Sequence, residues 1–443
     1  MAETSDLREI PGSYGLPLIG LVAQSVAFFK NLVGFCTERR DRYQSTVFKA
    51  SPGVSSIVLL EQESIETIFD TSLCDKPYGF GPLRPDPPRV GHIRPTICSN
   101  GEDHVEGKTF VLDLISRRAE RLAPTLNEVA GPYIERWAKT GNFDWGADID
   151  ALMADFVFLY AIGGKLDSKD VSEWAYSTLV VGPLWLPRPG TAKAVKQLNR
   201  MLEGMRKAPD YGEMESLAKE AGVDHEEAAK QLLFTLAFNA WGGLQGVARS
   251  VICELFLNPD WADKAAAEVR EALPEGDEPT VDLIDKIPAV GWAVRETMRL
   301  HTPVPSIYGI PNKDTVVRST TGSYLVRKGE LLQGVLTWAN QNPKAFDKPG
   351  VFDPQRFSTE EANRNLVWAA GRDVNNPTQT NHMCAGKDVV YQVLTLFLAK
   401  LLRYRWTLSE KPDWGTGFQA ASRPVTPVLC TSFEPRPSMQ IQP

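Results

Sequence analysis

Cys384 is the residue in this chain best placed for chemistry. It lies in Asn381-His382-Met383-Cys384-Ala385-Gly386-Lys387-Asp388, directly before an apolar run. Val389, Val390, Val393, Leu394, Leu396, Phe397, Leu401 and Leu402 recur at helical spacing, so the run predicts a helix. A thiol at the mouth of a helix faces the positive end of the backbone dipole, which favours the thiolate and hence metal ligation or nucleophilic chemistry. Gly386, two residues on, would let the backbone approach something flat and large. A buried thiol ahead of an ordinary core helix is the structural alternative, and the octapeptide alone does not separate the two.

Three other stretches place polar groups where chemistry needs them. Residues 224–257 predict one long helix, opened by Asp224 as a cap with Glu227 three residues on. Its centre, Leu236-Ala237-Phe238-Asn239-Ala240-Trp241-Gly242-Gly243-Leu244-Gln245-Gly246, is apolar except for Asn239 and Gln245. A glycine inside a helix costs on the order of 1 kcal/mol relative to alanine, so the glycines at 242, 243 and 246 imply that something presses against this helix. Close packing of a second helix is the plain alternative. Glu296 and Arg299 share a helical face and can pair, as many solvated surface pairs do. His104 and Lys108 share one helical face as well, which alone is an ordinary exposed surface.

The elements that must position these groups are mostly helical. A Pro-Gly lead-in at 10–17 precedes an amphipathic helix over 26–41, and strands over 44–50 and 54–60 meet at Ser51-Pro52-Gly53. A short helix follows at 61–70. The Pro- and Gly-rich stretch 71–102 is long for a connection and suits a lid or binding loop. Helical patterns run from 103 to 300, interrupted near Pro183–Pro189 around Trp185 and Leu186. Strands and loops fill 305–380, and a β-like tail follows 404. No repeat, low-complexity tract or linker divides the 443 residues, so the expectation is a single domain over 1–443, mainly α with a small β portion.

Composition bounds the function. With 43% hydrophobic and 23% charged residues the chain reads as globular, and a net charge of -7 argues against nucleic acid as a partner. No apolar run reaches 18 residues and no leader is visible, which predicts a soluble, cytoplasmic protein with at most peripheral membrane association. Six scattered cysteines without a CxxC pair suit a reducing compartment, and the five histidines form no HExxH set.

These pieces also occur in a set order: lead-in, basic helix turn, glycine-interrupted helix, Glu-x-x-Arg, Asp353-Pro354-Gln355-Arg356-Phe357, then Cys-x-Gly. That order resembles the cytochrome P450 superfamily over nearly the whole chain. The resemblance implies the P450 fold and haem b, with Cys384 as the axial thiolate and metal ligand. It implies a buried triad of Glu296, Arg299 and Arg356, and cofactor contacts from His104, Lys108, Asn381, His382 and Gly386.

Two departures narrow the resemblance. Gln245 and Gly246 stand where ordinary members carry the acid–Thr pair that assists dioxygen activation. The usual cysteine loop is replaced by a longer polar one, Trp368-Ala369-Ala370-Gly371-Arg372-Asp373 and onward. Both are similar to the branch that metabolises fatty-acid hydroperoxides: allene oxide synthase, hydroperoxide lyase, divinyl ether synthase and epoxyalcohol synthase. Residues 10–17, 43–48, 238–243, 303–309, Asn381 and 384–388 carry the likeness; His382-Met383 replaces that branch's usual Lys-Gln. The branch implies rearrangement of a polyunsaturated fatty-acid hydroperoxide by homolytic O–O cleavage, without dioxygen, NADPH or a reductase. Asn239 and Cys384 would be catalytic, and Phe238, Val304, Ile307, Tyr78 and Phe80 would line the acyl channel. Epoxyalcohol or allene oxide formation is the preferred outcome. The rivals are a conventional NADPH-dependent monooxygenase and a non-catalytic haem-thiolate ligand-binding protein.

Overall fold

Short apolar stripes separated by caps, glycines and prolines make this chain a stack of helices, each burying one face. The computed structural model describes residues 7–16, 18–181, 188–367, 376–419 and 422–437. Asp144, Asp167 and Asp224 each accept backbone N–H groups at the start of the helices Trp145–Ile162, Ser168–Thr178 and His225–Leu233. Such a cap contributes about 1 kcal/mol by satisfying orphan donors.

The helix Trp241–Leu257 is buried over nearly its whole length and packs against Trp145–Ile162 and Pro288–Leu300. Lys387–Leu401, the helix after the cysteine, packs against Pro288–Leu300 and Leu122–Thr140. Its buried residues include Val393, Leu394, Leu396, Phe397 and Leu401. Each large apolar side chain buried this way contributes roughly 1.5–3 kcal/mol. The stripe read from the sequence is thus the face that anchors the cysteine end of the molecule.

A five-stranded sheet lies at the other side of the fold, in the spatial order Val47–Ala50, Ser56–Leu59, Leu332–Val335, Ser306–Pro311, Cys74–Asp75. Ser56–Leu59 and Leu332–Val335 run parallel; the other neighbours are antiparallel. Ile307 pairs with Gly334 in this sheet, and Cys74–Asp75 delivers the chain to Lys76. A three-stranded sheet of Tyr404–Leu408, Leu429–Pro435 and Phe143–Asp144 closes the C-terminal tail.

The structure departs from the sequence reading at two helices. The helix expected over 26–41 is two, Ile19–Lys30 and Leu32–Tyr43, bent by 119°. Asn31 makes the break: its backbone is extended (φ -150) and its side chain caps the Gly34 N–H. The long helix expected over 224–257 is interrupted by a π-helical stretch, Phe234–Ala240. The interruption expected at Pro183–Pro189 falls partly on 182–187, outside the described residues, as does the polar cysteine loop 368–373.

Among the described residues no single helix is long and apolar enough to cross a membrane. The first helix nevertheless leaves Ile19, Val22 and Val26 at least 60% exposed.

Candidate active site

The interrupted helix organises the site. Between Phe234 and Ala240 the backbone bonds from i to i+5, as in the Trp241 N–H to the Leu236 carbonyl. Wide turns of this kind are rare and recur at functional positions. Thr235, Phe238, Asn239, Ala240, Gly242 and Gly243 are only half-buried, although Phe234, Leu236, Ala237, Trp241 and Leu244 among them are buried. A Cβ built on Gly242 or Gly243 would meet nothing within 4 Å. These two glycines therefore do not serve close helix packing; they border open space on one face of a core helix. Asn239 stands on that face, and its amide has no hydrogen-bond partner among the described residues.

Gln245, one turn on, is fully buried. Its Nε2 donates to the Gly242 carbonyl at 3.1 Å within its own helix, while its buried Oε1 has no partner among the described residues. Gly246 is buried too.

At the other end, Cys384 sits just ahead of the Lys387–Leu401 helix, its carbonyl accepting from the Lys387 N–H at 3.3 Å. Of the six cysteines it alone is half-buried rather than buried. The thiolate expected from the helix dipole is not favoured by the protein alone. Burial raises the thiol pKa, outweighing the Gly386 N–H and the Lys108 and Lys387 charges that lower it. A cation at the sulfur would reverse that balance. A Cβ on Gly386 would meet nothing within 4 Å, so the backbone there is open to a flat group.

Basic side chains converge beside this loop. Lys108 Nζ donates to the carbonyls of Asn381 (2.9 Å) and Met383 (2.5 Å), and His104 Nε2 lies 3.1 Å from the Asn381 carbonyl. The His382 ring packs edge-on to His104 with centroids 4.3 Å apart. Burial, then Lys76, His104 and Lys108, push the His382 pKa down to about 2, so this ring is neutral. Asn381 spends its side chain on the loop, with Oδ1 accepting from Thr378 and Met383 N–H and Nδ2 donating to the Asn376 carbonyl.

Lys76 is the member that sequence reasoning missed. Its Nζ donates to the Tyr308 carbonyl at 3.2 Å. Burial first, with Lys108 adding, pushes its pKa down to about 8, and burial does the same to Lys108. A lone lysine in a Pro-rich loop carries no periodic signal; only the fold brings it to His382 and Lys108. Among the described residues no carboxylate pairs with Lys76, His104, Lys108 or His382. The unbalanced charges of half-buried Lys76 and buried Lys108 are costly, and an anion such as a carboxylate would relieve them.

Glu296, Arg299 and Arg356 are brought together. Arg299 grips Glu296 through Nε (2.7 Å) and Nη2 (2.8 Å), both side chains being 0% exposed. Arg356 Nε reaches Glu296 Oε1 at 3.2 Å, and the Asp353 N–H donates to the same oxygen at 2.8 Å. Arg299 also donates to the carbonyls of Asn340, Pro349 and Val351, tying the helix Pro288–Leu300 to the loop beyond it.

Of the expected channel residues, Phe80 and Phe238 meet with ring centroids 6.1 Å apart, and Phe238 meets Phe234 at 4.9 Å. Gly81, at φ +60, lies flat on the Tyr308 ring, where a side chain would not fit. Ile307 is buried in the sheet core with half-buried Val304 against the same cluster, and Tyr78 is half-buried in the loop. No described contact joins Tyr78, Val304 or Ile307 to Asn239.

A helical fold with a free thiol at a helix start, a Glu-Arg-Arg cluster around buried Glu296 and Arg299, and an open-faced core helix is the arrangement expected of the cytochrome P450 class. The chain belongs to the cytochrome P450 family. The family model "Cytochrome P450" matches residues 224–416. Allene oxide synthase 1, chloroplastic, of Oryza sativa subsp. japonica is 30% identical, covering 96% of this chain and 91% of that one. A divinyl ether synthase of Selaginella moellendorffii is 29% identical over 90% of this chain and 91% of its own length. The 9-divinyl ether synthase of Capsicum annuum is 26% identical, with 90% and 92% covered. Family membership implies haem held through a cysteine thiolate. The residues present fit that group: an accessible Cys384, an open Gly386 and cations without acids for its carboxylates.

Proposed function

We propose that this protein rearranges polyunsaturated fatty-acid hydroperoxides, without dioxygen, NADPH or a reductase. The observation that carries the reading is a free Asn239 amide on the open face of the helix, where Gln245, an amide rather than an acid, is buried and Gly246 has no side chain. That face offers a hydrogen-bond donor and acceptor but no acid to deliver protons to dioxygen. The names of the relatives, allene oxide and divinyl ether synthases, point the same way.

Bound through Cys384, haem supplies one-electron cleavage of a peroxide O–O bond. Lys76, His104 and Lys108 would hold its carboxylates, and the open backbone at Gly386 would leave room for it. Asn239 donates to a peroxide oxygen and keeps the oxygen-bearing carbon in place while the bond breaks. Phe80 and Phe238, with Val304, Ile307 and Tyr78, flank the acyl chain and keep water from it. Glu296, Arg299 and Arg356 hold the fold beneath the cysteine and touch no substrate. Within this class we favour epoxyalcohol or allene oxide as the product.

The test is anaerobic mixing of the haem-loaded protein with a conjugated-diene fatty-acid hydroperoxide, without NADPH. Loss of the diene absorbance at the aerobic rate, with an epoxyalcohol or allene oxide product by mass spectrometry, supports the reading. Turnover only with NADPH, a reductase and dioxygen replaces it with a monooxygenase. A haem spectral shift with the diene intact replaces it with a binding protein.

A further inference from the structure

Beside the open face, three elements meet around a cation that the haem site leaves unused. The chain beyond Tyr404–Leu408 crosses the Trp241–Leu257 helix, where the Ser422 carbonyl accepts from Ser250 Oγ at 3.4 Å. This brings Arg423 over the Tyr176 ring, its guanidinium carbon 4.6 Å from the centroid. Tyr176, in the Ser168–Thr178 helix, stands edge-on to Trp241 with centroids 5.6 Å apart. Trp241 Nε1 in turn donates to the Asp150 carbonyl at 3.0 Å. Arg423, Tyr176 and Trp241 form one stack, which ends two residues along the helix from Asn239.

The charges here do not balance. Asp150 lies 2.5 Å from Arg249 Nη2, and that nitrogen also donates to the Gly146 carbonyl. Burial draws the Arg423 pKa down and Asp150 opposes it, so two guanidiniums share one acid. Asp144, the other carboxylate that acts on Asp150, is exposed and caps its own helix at the Ala147 N–H. Arg423 is half-buried, yet its guanidinium donates no hydrogen bond among the described residues. Only its backbone N–H is used, on Gln419 Oε1 at 3.3 Å. Five unspent donors taken partly out of water are costly until an anion meets them. Their planar fork matches the two oxygens of a carboxylate.

The surroundings narrow the choice of carboxylate. Tyr176 is 51% exposed and forms the floor under the guanidinium, so the approach to Arg423 is aromatic rather than charged. Half-buried Ala240 continues the uncovered strip of the helix from Asn239 round toward Trp241. A long apolar chain with a carboxylate at one end covers that strip; a short acid or a phosphate leaves it bare.

We propose that Arg423 binds the carboxylate of the fatty-acid hydroperoxide, with Tyr176 holding the guanidinium flat. The acid end then lies against the segment 422–426 while the peroxide end lies at Asn239. Arg423 thereby selects acids over esters and sets how far the chain enters. The inference rests on the reading that the substrate is a fatty-acid hydroperoxide.

The test separates binding from turnover. Myristic acid and methyl myristate, neither carrying a peroxide, are titrated calorimetrically into the ferric haem-loaded protein. The parent should bind the acid about tenfold more tightly or better, as expected of one charge-assisted pair. Arg423→Ala and Arg423→Gln should bind acid and ester alike, and Arg423→Lys should keep part of the preference. Myristic acid should also raise the imidazole concentration that half-saturates the Soret shift. With a hydroperoxide substrate, Arg423→Gln should raise KM for the acid about tenfold, keep kcat, and leave the methyl ester unaffected. Equal binding of acid and ester by the parent, or a preference that survives Arg423→Gln, overturns the proposal. So does acid binding that leaves imidazole undisturbed, since the carboxylate then lies outside the haem channel. No hydroperoxide turnover, with the acid preference and the competition intact, overturns the hydroperoxide reading and leaves the Arg423 carboxylate site standing.

Discussion

A lysine held away from water loses its proton at a lower pH than usual unless an anion joins it. Lys76 and Lys108, both held down to about 8, are in that state. Binding of carboxylates raises both pKa values, so the affinity of the haem-free protein for haem is full below pH 8 and falls as pH rises beyond it. The expected loss is up to about tenfold per lysine for each pH unit above 8. Titration of the haem-free protein at pH 7.5 and 9.5 measures it, and Lys108→Met should flatten the dependence. Stability without haem has the opposite sign. The folded pKa of about 8 lies below the unfolded value, so the cost of burying charge is present at low pH and relieved between pH 8 and about 10.4. Asn239 makes the second prediction at this scale. Donors preorganised for a reacting oxygen are worth about 10²–10³ in rate. Asn239→Leu should retain haem and its melting temperature while losing hydroperoxide turnover by that order or shifting its products; parental rate and product ratio would reduce Asn239 to packing.

Among the elements, the Pro288–Leu300 helix depends on an ion pair that no water reaches. Removing one partner of such a pair costs roughly 3–5 kcal/mol, so Glu296→Ala should give little soluble haem-loaded protein. A normal melting curve for that variant would contradict the buried role. The π-helical stretch predicts something different. It holds one residue beyond what an α-helix needs, and each α-helical residue turns the chain by about 100°. Deleting Thr235 should let ordinary i→i−4 bonding run on to Trp241 with the downstream helix undisturbed, while Phe238 and Asn239 rotate. Near-parental stability with altered products, by thermal melting and product analysis, is the expected outcome. Most of these elements were legible because apolar stripes and caps are local: Asp224, Asp144 and the 389–402 stripe act within a turn or two of themselves. The π stretch was not, because seven apolar residues look alike at 3.6 or a wider period. Nor was the break at Asn31, where a polar residue sits in a run that otherwise continues. Glu296, Arg299 and Arg356 could be placed together only through the order of motifs, and Lys76 only through the fold.

For the molecule as a whole, the order in which its parts meet matters as much as their final geometry. Ser56–Leu59, buried on both faces, takes Leu332–Val335 as its parallel neighbour, and Leu7–Arg8 takes Ser323–Tyr324. Lys108 finds its carbonyls 273 residues on. On a ribosome adding about 5–20 residues per second, the Ser56–Leu59 edge waits roughly 14 to 55 s for its partner. An apolar strand with one edge left unpaired for so long is an invitation to pair with the wrong chain. Cys384 emerges later still, so haem capture cannot begin until the sheet has had its chance to close. Refolding of the full chain from denaturant should show a slow phase of seconds or longer, independent of haem concentration, before any haem-dependent step. Tryptophan fluorescence and Soret absorbance, followed on the same sample, would separate the two.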